Sequence, residues 1–423
     1  MTSQWQVTEL KEQTSLMPRV LIVTDRFTPE VSAASTRLHA HAARWVAAGW
    51  NVDVLTCVPN FPQGRVFESY TNKAYQVEPM DGFDVHRVWS YMAPNTGKLR
   101  RVLDYASFNY SAERQLSKLP RPDVVLASSP PINIALLGQR IARRLKVPWV
   151  FEVRDLWPAS IRAVGVSASP LLKLIERMEL KLYCDANHVL VLTDAFREDL
   201  LSRGVPDEKL SVVTNAVDAA KFVYPDGREH ARTVLGLPQE KFIVGFVGTL
   251  GLSQGAGVFV EAAARLNHRE DIHFLMVGEG ADGDHVKALA RQLGVRNIEF
   301  RDFVPHPQVP QLLAALNIGT ALLKDHPVFE TVIPSKIFEI LAAGRPIAAA
   351  VAGQAQRIIA SLGGGVCVAP QDAKALAGAI SDMADRPDRT DETGRAAQIE
   401  VAARFDRNKL AADALGVLER LVK

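Results

Sequence analysis

Cysteine is scarce in this sequence: three residues in 423, at positions 57, 184 and 367, with no C-x-x-C pair. A disulfide framework and a cysteine-based zinc site are therefore not what organises the chain, and a reducing, cytoplasmic compartment is expected. An excess of one charge is lacking too. The 49 Lys and Arg residues stand against 47 Asp and Glu, a net +2, which implies no bulk affinity for nucleic acid. No apolar run approaches the ~20 residues of a membrane span. Residues 1–16 have no long apolar core. They read as a loose leader rather than a signal peptide, with the folded part beginning near Met17. Short repeats and low-complexity tracts are missing. No cluster has metal-ligand spacing, so neither a metal nor another cofactor is expected.

What is present is the composition of a globular protein, 48% hydrophobic and 23% charged. The length exceeds what one core supports, so two domains are expected. Short apolar runs alternate with helical patterns. RVLIVTD (19–25), NVDVLTCV (51–58), DVVLAS (123–128), PWVFEV (148–153), HVLVLT (188–193) and LSVVTN (210–215) read as strands. The same grammar restarts with KFIVGFVG (241–248) and continues through IHFLMVG (272–278), IEFRDFV (298–304), IGTALL (318–323), PIAAA (346–350) and GVCVA (365–369). Strand-like runs separated by helices indicate parallel α/β sheets built from βαβ units. The expected division is a first Rossmann-like domain over 17–216, a connection over 217–240, a second domain over 241–404 and a returning helix over 405–423. Two doubly wound domains facing each other would bind substrate in the cleft at their strand ends.

The segment PSKIFEILAAGRP (334–346) carries the most chemistry. A helix start offers unpaired N–H groups and a positive dipole end, which suit phosphate. Lys336 adds a mobile cation, Ser335 is a candidate cap, and Glu339 is spaced to accept from two vicinal hydroxyls. A diphosphate and a ribose held by one element describe a nucleotide-sugar site. The loop GFVGTLGLSQGAG (245–257) opens the second domain, and Gly248, Gly251 and Gly255 let it approach a ligand closely. FEVRDLWP (151–158) sets Glu152, Arg154 and Asp155 at a strand end; Asp155 is expected to orient sugar or acceptor hydroxyls, with Arg154 its partner or a phosphate contact. SSPPIN (128–133) follows another strand, and Asn133 is expected on the acceptor side. Asp282-Gly283-Asp284 imitates a metal-binding DxD motif, yet its Gly-rich turn reads as a solvated loop.

These motifs and their order resemble the retaining glycosyltransferases of the GT-B fold, family GT4, and within it the bacterial subgroup that builds surface polysaccharides of O-antigen and colanic-acid type. The resemblance implies that Glu339 binds the donor ribose. The family's other glutamate, eight positions earlier, falls on Thr331, with Glu330 its nearest acidic neighbour. The backbone around Ile333, Ser335 and Lys336 would face the diphosphate. The family's Arg and Lys in the glycine-rich loop are replaced by Thr249 and Gln254, so Lys336, and after it Lys324, are the expected substitutes. Glu279, Val304 and Pro305 would flank the base. In TPEVSAAST (28–36), Ser32 and Arg37 would contact donor or acceptor.

Residues 91–121 carry six Lys and Arg residues with Leu99, Val102, Leu103, Ala106 and Tyr110 at helical spacing. A basic amphipathic helix of this kind suits an anionic membrane surface, and Arg140, Arg143, Arg144 and Lys146 add a second basic cluster. The expected function is metal-free transfer of a sugar, with retention, from a nucleotide diphosphate donor, UDP ahead of GDP, to a polyprenyl-diphosphate-linked saccharide. The expected location is the cytoplasmic face of the membrane. A UDP-sugar 2-epimerase of the same fold and a catalytically weak sugar-nucleotide-binding protein are the alternatives.

Overall fold

The computed structural model describes residues 17–30, 32–61, 64–92, 98–156 and 170–423. The expected leader and the Trp157-Pro158 end of FEVRDLWP lie outside them.

Most strands come from largely apolar runs and are covered on both faces, as parallel sheets require; the edge strand Tyr75–Met80 is the half-polar exception. The strands of the first sheet are β1 (Arg19–Val23), β2 (Asn51–Cys57), β3 (Tyr75–Met80), β4 (Phe83–Val88), β5 (Val124–Ser129), β6 (Trp149–Val153), β7 (His188–Val191) and β8 (Leu210–Val212). Their order is β3-β4-β2-β1-β5-β6-β7-β8, parallel except for the β3–β4 pair. The second sheet holds β9 (Phe242–Val247), β10 (Ile272–Val277), β11 (Ile298–Arg301), β12 (Ile318–Leu322), β13 (Ile347–Ala350) and β14 (Gly365–Val368). It is all parallel, in the order β11-β10-β9-β12-β13-β14. Strand order reverses at β1/β5 and again at β9/β12, and the crevice at such a reversal is where doubly wound sheets bind ligands. The fold is the expected pair of Rossmann-like domains.

Two elements depart from expectation. The β3–β4 hairpin was not anticipated, although Asp81 and Gly82 at its tip, with φ of 45° and 87°, form the two-residue turn that an Asp-Gly pair favours. Residues 217–240 are more than a connection. Phe222 and Leu237 are buried, and the helix Gly227–Leu235 packs on Val309–Ala315. The second domain therefore begins inside the stretch expected to join the two.

Helices α1 (Ala33–Ala47), α2 (Lys98–Gln115), α3 (Ile132–Leu145) and α4 (Pro170–Asp185) cover the first sheet. Ser32 starts α1 by accepting from the Ser35 N–H at 3.1 Å. In α2 three residues of the sequence's apolar stripe face outward, Val102, Leu103 and Tyr110 being 59%, 49% and 64% exposed, while Phe108 and Ala112 turn toward the sheet.

The C-terminal helix Arg407–Val422 lies on α1. Leu410, Leu415, Val417 and Leu418 are buried, the Trp45 indole N–H donates to the Ala411 carbonyl at 2.9 Å, and Arg44 donates to Asn408 at 2.8 Å. Burial of each of those four aliphatic side chains is worth about 1.5–3 kcal/mol. The chain crosses between domains twice, side by side. The Val217 N–H donates to the Phe405 carbonyl at 2.9 Å, and Val217 bridges Asp406.

Candidate functional site

A cavity of about 370 Å³ opens between the strand ends of the two domains, within the ~300–1,000 Å³ usual for small-molecule sites. Gly248 and Gly278, at the ends of β9 and β10, form its floor. A Cβ on Gly278 would stand 2.0 Å from the Gly248 carbonyl oxygen, at a φ of +142°. Only glycine lets these two backbones meet. Gly278→Ala is expected to cost about 1–3 kcal/mol and to lower the thermal midpoint by several degrees, readable by differential scanning calorimetry; an unchanged midpoint would show that this contact yields easily.

Lys336 stands above that floor. Its Nζ is 3.2 Å from Gln254 Oε1 and 3.9 Å from the centroid of the Phe246 ring, and a Cβ on Gly248 would come within 3.1 Å of it. Burial pushes the amine down to about 7, opposed in part by the Glu339 carboxylate. The cation expected to be mobile is thus held by its neighbours, one of them Gln254, which stands where a cation was expected to be missing.

Glu339 lies one turn on, 21% exposed, and its Oε1 is 3.4 Å from His306 Nε2. Phe303 and Val304 line the same end of the cavity. The helix carrying Lys336 and Glu339 is short, Lys336–Ala342. Ser335 occupies its cap position with helical angles and no side-chain cap bond, which corrects the expected capping role.

The first domain closes the cavity with Ser32, Thr36, Arg37 and His41 of α1. Arg37 was expected to contact donor or acceptor; it lines the cavity, but each of its three nitrogens already makes a bond within the protein: Nε with Glu152 at 2.9 Å, and the Nη atoms with the carbonyls of Thr214 and Val213 at 2.6 and 2.8 Å. Burial alone would raise the Glu152 carboxyl; Arg37 overrides this and holds it at about 2. Arg37 thus braces α1 against β6 and the segment after β8, and Glu152 does not line the cavity.

Other expected residues sit elsewhere. Ile333 joins the hydrophobic core. Thr331 bonds Val328 through its hydroxyl and accepts from Thr193 of the first domain at 2.8 Å, and Glu330 packs its backbone against Gly353. Lys324 lies along Gly255, and exposed Glu279 uses its carbonyl to bind the Leu250 N–H; neither they nor Pro305 line the cavity. Arg154 donates to the Pro130 carbonyl at 2.7 Å, and neither it nor Asp155 lines the cavity. Asn133 lines a second, smaller cavity. Asp282 precedes the helix Gly283–Gln292 and contacts His285.

Arg407, His41 and His306 are among the lining residues that went unread. Arg407 enters from the first turn of the C-terminal helix, with Nε 3.2 Å from the Ala216 carbonyl; burial lowers its pKa, opposed by Asp218 and then by Glu339. His41 stacks on Trp45 at 5.3 Å, with neither ring nitrogen bonded; burial, helped by Arg37, pushes it down to about 3, so it is neutral. His306 was within reach of sequence reading, since it adjoins Val304 and Pro305. Arg407 carried only one signal, its position at the start of a returning helix.

Residues 32–216 match the glycosyl transferase 4-like domain and residues 227–400 match glycosyl transferases group 1. WcaI of Escherichia coli K12, named for colanic acid biosynthesis glycosyl transfer, is 26% identical over 376 residues, covering 86% of this chain and 91% of that one. Among solved structures, sucrose-phosphate synthase from Thermosynechococcus elongatus superposes with a TM-score of 0.78 at 18% identity, over 96% of this chain and 99% of the other. HepE of Anabaena, in complex with UDP and glucose, gives 0.70 at 18% identity, over 96% and 100%.

Proposed function

This chain belongs to the GT-B glycosyltransferases, a glycosyl transferase 4-like domain followed by a group 1 domain, and on that footing we propose that it transfers a sugar from UDP to a lipid-linked saccharide in surface-polysaccharide synthesis. One observation carries the donor assignment: a side-chain-free backbone floor, a half-buried lysine and a half-buried carboxylate share one cavity. The diphosphate would rest on Gly248 and Gly278 beneath Lys336, the ribose hydroxyls would donate to Glu339, and the base would lie by Phe303 and Val304. Backbone and apolar contacts of that kind suit uracil. WcaI is named for polysaccharide assembly and HepE was solved with UDP, which supports the same chemistry here.

In the proposed step the bond between the anomeric carbon and the diphosphate oxygen breaks. The acceptor hydroxyl oxygen bonds to that carbon on the same face, and its proton passes to the departing diphosphate. Lys336 offsets the charge gathering there. Calorimetric titration with UDP, GDP and ADP tests the donor reading. Preferential UDP binding supports it; absence of binding by all three overturns it. Donor turnover without any acceptor would favour epimerisation.

The exposed stripe of α2 supports membrane docking. Beside it, α4 exposes Leu174 and Met178 among Lys173, Arg177 and Lys181, and α3, packed between the two helices, exposes Arg140, Arg143 and Arg144. No helix among the described residues is long and apolar enough to cross a membrane. A basic face with apolar side chains at its crest suits an anionic leaflet, and the inner face of the cell membrane is the proposed location. The double change Val102→Asp and Leu103→Asp is expected to reduce sedimentation with phosphatidylglycerol vesicles about tenfold, equivalent to 1.4 kcal/mol. Undiminished sedimentation would place the contact on another surface.

A further inference from the structure

A second cavity, of about 60 Å³, lies in the first domain beyond the ends of β1 and β2 and beneath α2. Its wall brings together acceptors that lack donors. Asn133 is 8% exposed; its Nδ2 donates to Asn109 Oδ1 at 3.1 Å and its carbonyl accepts from Asn109 at 3.1 Å, but its own Oδ1 has no partner. Oδ1 of Asp25 has none either. Asp104 stands near Asp25, and burial, reinforced by that neighbouring carboxylate, pushes it up to about 6. Glu30 also borders the cavity, but its carboxylate is taken by the N–H groups of Phe27, Asn60 and Phe61 at 3.2, 2.8 and 2.8 Å.

We propose that this cavity receives the saccharide end of the acceptor, seating one hydroxyl-bearing edge of a pyranose against Asp25, Asp104 and Asn133. The inference rests on the glycosyl-transfer reading above and names the substrate subsite that reading leaves open. Converging acceptor atoms call for hydroxyl donors. Three guanidinium groups, of Arg26, Arg101 and Arg154, lie close enough to influence the two carboxylates, so a bound cation is disfavoured and a neutral ligand fits. Tyr105 and Phe108 add ring surface for the apolar face of a sugar. The volume suits an edge, with the rest of the ring projecting outward.

Position agrees with this chemistry. Asp25, Arg26 and Glu30 border this cavity while Ser32 borders the larger one, so the segment leading from β1 into α1 is their shared wall. Above the cavity lies α2, whose inner side supplies Asp104, Tyr105 and Phe108 and whose outer side carries the exposed Val102, Leu103 and Tyr110. A lipid held against the outer side would leave its first sugars about one helix diameter, ~10 Å, from the cavity.

Ligand-detected NMR tests the subsite with methyl glycosides of glucose, galactose, mannose, N-acetylglucosamine and rhamnose. The proteins compared are wild type, Asp104→Asn and Asn133→Ala, and UDP titration serves as the control for folding. The expected result is that at least one glycoside binds wild type and binds each variant about tenfold more weakly, with UDP affinity unchanged, as loss of a charged or buried hydrogen bond predicts. Should Asn133→Ala fail to fold, Asp104→Asn on half-buried α2 decides alone. If UDP binds but no glycoside does, if glycoside binding survives both changes, or if Ca²⁺ displaces the glycoside, the subsite is wrong. Failure of UDP to bind wild type would instead remove the glycosyl-transfer reading itself.

Discussion

Replacing Lys336 with Met lowers turnover about a hundredfold or more, the usual loss when one preorganised donor is removed from a developing anion. The reason for expecting the upper part of that range is the surrounding composition. Thr249 and Gln254 line the same cavity and carry no charge, Lys324 lies outside it, and Arg407, a further cation on the wall, is engaged by the Ala216 carbonyl and Asp218. Arg37 spends its donors on Glu152 and two carbonyls. The amine is already pushed down to about 7 by burial, so near neutral pH the empty site is partly uncharged. A bound diphosphate favours the charged form and raises the amine again. Binding therefore takes up a proton above pH 7, and UDP affinity falls as pH rises through and beyond 7. Calorimetry in two buffers of different ionisation heat reads the proton directly. Wild type should show uptake at pH 8 and Lys336→Met none; equal uptake in both would assign the proton elsewhere. The same change removes a cation that the fold desolvates at a cost, so the variant's thermal midpoint should equal or exceed that of wild type. A large fall would mean that Lys336 serves the fold rather than the ligand.

Glu339→Ala has the second large effect, on affinity. A carboxylate accepting from two ribose hydroxyls loses hydrogen bonds worth roughly 1.5–3 kcal/mol each when truncated, less what water restores. UDP binding should weaken by about thirtyfold to a hundredfold, a difference of ~2–3 kcal/mol. His306, 3.4 Å from the carboxylate, loses its partner and sharpens the comparison. The discriminating measurement repeats the titration with 2′-deoxy-UDP. If Glu339 holds the ribose, wild type already binds the deoxy form less tightly, and the penalty of the substitution shrinks with it. Equal penalties for both nucleotides would show that Glu339 acts on the pocket's shape or charge rather than on the sugar ring.

Much of this architecture is legible in the chain, because strands buried on both faces cannot alternate. Runs such as FIVGFV and IHFLMV declare themselves without any partner, and the βαβ grammar orders them. The hairpin was missed for the opposite reason. β3 reads YQVEPM, half polar and interrupted by Pro79, as edge strands are, so only Asp81-Gly82 marked it. The donor site divides along the same line. Lys336, Glu339 and Gly248 are local: a helix start and a strand end carry them, and sequence spacing is enough. The opposite wall depends on contacts no local pattern records. Arg37 meets Glu152 across 115 positions, and that pairing turned an expected ligand contact into a brace. Arg407 reaches the cavity only because the last helix folds back. Arg154 and Asp155 stand at a strand end, as expected, but the larger cavity opens on another part of that sheet edge.

That returning helix has a consequence for how such proteins can be rebuilt. The first domain in space is not one continuous stretch of chain: its outer layer is finished by residues 407–422, which follow the second domain. A donor domain exchanged between relatives would have to be cut at two points, near Val217 and near Asp406, where the crossing segments already touch. A single crossover after residue 216 would carry a foreign helix onto α1, setting Trp45 and Arg44 against side chains they were never matched to. Specificity for the donor can thus be inherited as a cassette, but only one with both its ends at the hinge.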